Sequence, residues 1–141
     1  MFAACGKMFR LRQLPLFKVL SNRELDLVAR LADEIDVPAG KRLTTAGDRG
    51  KEFFVIAEGT ALASFSDGRA ARLGVGDFLG EMSLLDGEPR SATVEADSAL
   101  RLFVFGRREF FGMLDKVPFV AAEIMSQLSL RIRRAEALAA A

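Results

Sequence analysis

The stretch Gly76-Asp77-Phe78-Leu79-Gly80-Glu81-Met82-Ser83-Leu84-Leu85-Asp86-Gly87-Glu88-Pro89-Arg90-Ser91-Ala92-Thr93-Val94 decides how the rest of the chain is read. Its glycines and apolar pairs spell a turn, one short helical turn, a second turn and then a strand. Gly80 permits close backbone approach, and the free N–H groups of the turn opening near Glu81 point outward. A helix start of this kind carries partial positive charge and unpaired donors, which favours an anion. Nine residues after Glu81, Arg90 adds a permanent guanidinium whose planar fork matches a phosphate bidentately. Taken singly, Glu81 serves as well to complement a helix dipole, and Arg90 as well to make a surface ion pair. Together they point to a small phosphorylated ligand.

Outward from this stretch, residues 43–105 are short apolar runs at 53–57, 61–65, 70–75, 92–96 and 100–105. Gly47-Asp48, Glu58-Gly59, Asp67-Gly68, Gly74 and Gly76 punctuate them. Asp67-Gly68 is the pair that a two-residue type I′ hairpin needs. Many short strands with evenly spaced turns predict a mainly β unit over 36–106, a double-stranded β-helix (jelly-roll) barrel. Phe53, Phe54, Phe65, Phe78, Phe103 and Phe105 are its expected filling. Before it, 7–35 reads as N-terminal helices. Met8, Leu11, Leu14, Phe17 and Leu20 recur at helical spacing interrupted by Pro15, and Ser21 or Asn22 caps a helix carrying Leu25, Val28, Leu31 and Ile35. Pro38-Ala39-Gly40 breaks that period. After the barrel, 107–141 reads as C-terminal helices. Phe110, Phe111 and Leu114 face inward, and Pro118 opens a longer helix to about Leu138. Val120, Ile124, Leu128, Ile132 and Ala135 form its packing face, and Arg131, Arg133 and Arg134 a basic one. No repeat or low-complexity linker divides the chain, so 1–141 is expected to be one domain.

Composition narrows the function classes. In 141 residues, 20 Lys plus Arg against 19 Asp plus Glu leave a net charge of +1, so nothing electrostatic calls for DNA. Histidine is absent and cysteine occurs once, which removes zinc sites and Ser-His or Cys-His nucleophile pairs. No metal, no cofactor and no catalytic residue is expected. Cys5, in an N-terminus expected to be loose, has no internal disulfide partner and fits a reduced, cytoplasmic setting. No apolar run has the length of a membrane span, and residues 1–8 are too short for a signal peptide.

The cassette Phe78-Leu79-Gly80-Glu81-Met82-Ser83-Leu84-Leu85 followed by Pro89-Arg90-Ser91-Ala92-Thr93-Val94 resembles the phosphate-binding cassette of the cyclic-nucleotide-binding domain family. That family includes the catabolite activator protein, protein kinase A regulatory subunits and cyclic-nucleotide-gated channels. The likeness extends to Pro38-Ala39-Gly40, Gly47-Asp48, the strand and turn at 53–59 and the terminal helices. It implies that Arg90 pairs with a cyclic phosphate, assisted by backbone N–H groups near Gly80, Met82 and Ala92 and by the Ser83 or Ser91 region. It implies that Glu81 accepts from a ribose 2′-hydroxyl, and that Leu73, Val75 and Leu79 offer apolar surface to the base. The last helix is then a lid that moves with ligand, with Arg133 stacking on or capping the base and Arg131 pairing with Glu81. A plain solvated basic face remains the alternative for these arginines.

The resemblance implies a cyclic nucleotide sensor, with cAMP favoured over cGMP, that signals to an effector protein or domain. The chain stops where the family's transcription factors begin their DNA-binding domain, so it is expected either to act alone or to be a module of a larger assembly such as a channel. Pairing of two copies through the C-terminal helix is open. A ligand-free interaction domain of the same fold is the second reading. A cupin-like enzyme is the third, disfavoured because it lacks histidine.

Overall fold

The computed structural model describes residues 2–140 of the chain, with side chains placed from residue 6 to 139. The Cys5 side chain lies outside that range, although its backbone belongs to α1 (Phe2–Arg12). Turns over 13–20 hold Pro15 and send Leu14, Leu16, Phe17 and Leu20 into the core. Helix α2 (Asn22–Leu31) starts on a full capping box. The Ser21 hydroxyl accepts from the Glu24 N–H, and the Glu24 carboxylate accepts from the Ser21 N–H.

Ile35 does not continue that helix. The chain turns extended at Ala32 and enters β1 (Asp33–Val37), where Ile35 pairs with Leu102. Cross-strand hydrogen bonding overrides the helical spacing here, so the sheet region begins at 33 rather than 36. The remaining strands are β2 (Arg42–Thr44), β3 (Glu52–Glu58), β4 (Ala61–Phe65), β5 (Ala70–Leu73), β6 (Phe78–Leu79), β7 (Ala92–Ala96) and β8 (Leu100–Gly106). Helix α3 (Glu81–Asp86) interrupts them, and α4 (Arg107–Lys116) and α5 (Pro118–Ala140) follow.

The expected closed jelly-roll barrel is not what forms. The strands make two separate antiparallel sheets of four, ordered β1-β8-β3-β6 and β2-β7-β4-β5, and no strand pair joins them. Nor is the protein mainly β, since its helices hold more residues than its strands. It is a mixed α/β architecture with flanking helices. The physical reason lies at the sheet edges. Strand β6 contributes two residues before Gly80 diverts the chain into α3, and β2 has three with a register shift. Neither offers enough hydrogen-bonding edge for closure.

The β4–β5 hairpin forms, but not as a type I′ turn. That turn requires positive φ at both central residues, and Asp67 does not have it. Phe65 N–H donates to Arg69 and Gly68 N–H donates back to Phe65, so the loop spans residues 66–68.

Two apolar clusters result. One lies between the two sheets (Phe54, Ile56, Ala61, Ala63, Val94, Leu102). The other lies between the first sheet and the helices, with Phe53 at its centre. The Phe53 ring sits 4.8 Å from Phe110, 5.6 Å from Phe78 and 5.8 Å from Phe105, centroid to centroid. On α4 Phe110 and Met113 are buried, Leu114 packs partly buried against them, and Phe111 is just over a third exposed. On α5 the apolar face is used only in its first half. Val120 and Ile124 are buried, Leu128 is partly covered, and Ile132 and Ala135 are exposed. Beyond Leu128 the described residues of α5 are exposed through residue 139.

Candidate functional site

The sequence stretch around Gly80 builds the site by a tight change of direction. Gly80 stands at φ +96°, a conformation L side chains rarely adopt, and it starts α3 directly off β6. Gly87 ends the six-residue α3 with φ +72° and donates its N–H to Ser83 O. So short a helix keeps Glu81, its first residue, and Arg90, four residues past its end, within reach of one neighbourhood.

Glu81 is 2% exposed. Its Oε1 accepts from Arg131 Nη1 at 2.6 Å, and that arginine, 46% exposed, reaches across from α5. The Arg131 guanidinium also lies 5.3 Å above the Phe78 ring, a cation–π contact. Burial pushes the Glu81 carboxyl above the ordinary carboxylate range, opposed by its own backbone N–H and by Arg131 and Arg90.

Arg90 is 9% exposed. Its backbone N–H donates to Asp48 O at 2.7 Å, and its Nη2 donates to Glu52 O at 2.6 Å. Its Nη1 is buried and makes no hydrogen bond among the described residues. Burial lowers the guanidinium pKa, and the charges of Glu52 and Glu81 work against that. A hollow of about 290 Å³ opens beside it, lined among others by Thr44, Arg49, Gly50 and Lys51.

The structure therefore brings together Gly80, Glu81, Arg90 and Arg131. The other residues singled out from the sequence are spread more widely. Leu79 is buried in the core between the sheets, and Ser83 is buried within α3. Met82 and Ser91 are exposed, while Leu73 and Ala92 are half-buried at strand ends. The Ala92 carbonyl accepts from the Thr44 hydroxyl at 2.9 Å. Val75 is 62% exposed. It lines a different hollow of about 160 Å³, with Pro15, Leu16, Phe78, Glu123 and Arg131. Arg133 and Arg134 are exposed on the second half of α5. Sequence reading missed Phe78 as the platform under Arg131, and it missed the loop at 45–51 as the holder of Arg90. The glycine spacing Gly47-Asp48-Arg49-Gly50 was the available signal for that loop.

Residues 34–117 match the model of the cyclic nucleotide-binding domain. The chain belongs to that family. A cyclic nucleotide-gated potassium channel of Mesorhizobium japonicum is 35% identical over 125 residues, covering 89% of this chain and 34% of the channel. The cyclic AMP receptor protein of Thermus thermophilus is 32% identical over 128 residues, covering 86% of this chain and 59% of the receptor. The chain thus spans between about a third and three-fifths of the length of these two relatives. Among solved structures, the T. thermophilus catabolite activator protein superposes with a TM-score of 0.77 at 31% identity, covering 86% of this chain and 60% of that one. The regulatory domain of Toxoplasma gondii protein kinase A with cAMP gives 0.65 at 30% identity, covering 79% and 44%. By family this is a binding and regulatory domain, not an enzyme. No helix among the described residues is long and apolar enough to cross a membrane.

Proposed function

We propose that the chain binds a cyclic ribonucleotide, cAMP in preference to cGMP, and couples that binding to movement of α5. The observation that carries this reading is Arg90, a guanidinium nine-tenths buried with one nitrogen lacking any acceptor. Leaving such a donor unsatisfied is unfavourable, and an anionic oxygen satisfies it. Glu81, on the same short segment, accepts the ribose 2′-hydroxyl. Arg131 offsets its charge and shields it. The preference for cAMP leans on the cAMP proteins among the relatives.

Coupling follows from the Arg131–Glu81 pair, which ties α5 to the carboxylate that the ribose engages. A ligand that changes this pair shifts the position of α5 by its differential affinity for the two arrangements. We read residues 1–141 as one such domain, acting on an effector protein or domain. The second reading, a domain of this fold that binds protein rather than nucleotide, has the exposed Leu130, Ile132 and Leu138 of α5 in its favour. These same residues make α5 the surface for an effector or a second copy. Titration calorimetry with cAMP and cGMP tests the proposal. Heat and a thermal shift with both, larger for cAMP, are expected. The absence of both heat and thermal shift at millimolar nucleotide would refute it.

A further inference from the structure

The glycines in the left-handed region are Gly40, Gly47, Gly59, Gly68, Gly76, Gly80 and Gly87. Gly50 is not among them, so backbone conformation does not demand glycine there. Space does. A Cβ at residue 50 would lie 2.7 Å from Arg90 Nη2 and closer still to Cζ and Nε. On the other flank stands Gly80, where a Cβ would lie 2.6 Å from Arg90 Nη1 and 2.5 Å from Glu52 O. The guanidinium, a rigid plate, is thus seated between two backbones that carry no side chain.

The loop around Gly50 also grips the Arg90 main chain. Gly47 N–H donates to Arg90 O at 2.9 Å, Arg90 N–H donates to Asp48 O at 2.7 Å, and Arg49 bridges to Pro89. One residue past the loop, Glu52 O takes Nη2. A methyl group at 50 has to push the plate away from the loop. On the Gly80 side it meets backbone, so its way out is toward solvent, where the buried Nη1 would be hydrated.

We propose that Gly50 is a positioning residue for the anion site: its missing side chain is what holds the Arg90 guanidinium in its slot. The proposal rests on the reading of the chain as a cyclic nucleotide binder, in which Arg90 meets the phosphate. Its test compares wild type, Gly50→Ala and a control, Gly112→Ala, whose Cβ would meet nothing within 4 Å. Three measurements are made: cAMP affinity by calorimetry, fold by circular dichroism, and the Arg90 Nε–Hε signal by ¹H–¹⁵N NMR. Gly50→Ala is expected to stay folded, to bind cAMP about 10- to 100-fold more weakly, as for a displaced charged partner, and to shift the Arg90 Nε–Hε signal. Gly112→Ala is expected to match wild type. Equal affinity and an unmoved signal in Gly50→Ala overturn the proposal and leave the binding reading standing. If wild type itself binds no cAMP, the binding reading fails, and the Nε–Hε signal alone still decides the role of Gly50. Should Gly50→Ala fail to fold, Gly50→Ala/Arg90→Ala decides instead. Removing the guanidinium clears the space, so the double variant folds; an unfolded double variant overturns the proposal.

Discussion

Replacing Arg90 by methionine separates binding from stability more sharply than truncation to alanine does. Methionine keeps an unbranched apolar stem in the slot and removes only the guanidinium. In the free protein two effects oppose each other. The bond from Nη2 to Glu52 O at 2.6 Å is lost, a charged hydrogen bond worth about 1.5–3 kcal/mol. The buried, unpartnered Nη1 is also removed, relieving about 1–3 kcal/mol. The net change therefore lies near zero, within about 2 kcal/mol of either sign. For a chain of this size that moves the melting temperature by no more than roughly 10 °C. Nucleotide affinity has no such offset. Losing one partner of a desolvated charge pair costs about 2–5 kcal/mol, or roughly 30- to several-thousand-fold in Kd. Thermal melting without ligand and calorimetric titration with cAMP measure the two quantities on one preparation. A variant that melts more than about 10 °C lower yet binds as wild type would refute the reasoning and make Arg90 a structural brace.

Three further outcomes follow from the same site. Because burial raises the Glu81 carboxyl above its ordinary 4.5, the folded state holds the proton more tightly than the unfolded chain. That contribution is fully present below about pH 4.5 and is lost as pH rises through the raised value. Glu81→Gln is therefore expected to gain stability relative to wild type between pH 4.5 and 7, read from urea midpoints; an equal difference at both pH values contradicts this. Arg131→Ala leaves the buried Glu81 carboxylate without its ion-pair partner and removes the cation–π contact with Phe78, and is expected to cost about 1–3 kcal/mol. Faster hydrogen exchange along α5 would accompany it, whereas unchanged exchange would show that Arg131 does not hold the helix. A 2′-deoxy cyclic nucleotide leaves Glu81 without its ribose donor and should bind about 10- to 100-fold more weakly, a loss of about 1.5–3 kcal/mol for a charged hydrogen bond. Equal affinity for the two sugars would remove Glu81 from the site.

Much of the local structure was legible because it depends on neighbours in sequence. The Ser21 helix cap, the Pro118 helix start, the glycine turn into α3 and strands β3, β4, β5, β7 and β8 all rest on short-range chemistry. The Glu81–Arg90 pair was legible as a spacing: an arginine and a glutamate nine residues apart, with a glycine between strand and helix. The Arg131–Glu81 contact was anticipated only through the family resemblance, since it joins residues fifty positions apart.

The sequence by itself determined the alternation of apolar runs and turns, the cassette and the absence of histidine chemistry. Tertiary structure alone decided the rest. Ile35 became a strand residue because β8 offered it a partner, against its own helical spacing. The sheets stayed open because β6 stops after two residues at Gly80. Only the folded chain shows that Leu79 is core, that Arg133 is exposed on α5, and that Arg90 sits between Gly50 and Gly80 with one nitrogen unmet among the described residues. Those are facts about which distant segments meet, and a local pattern of residues carries no record of its distant neighbours.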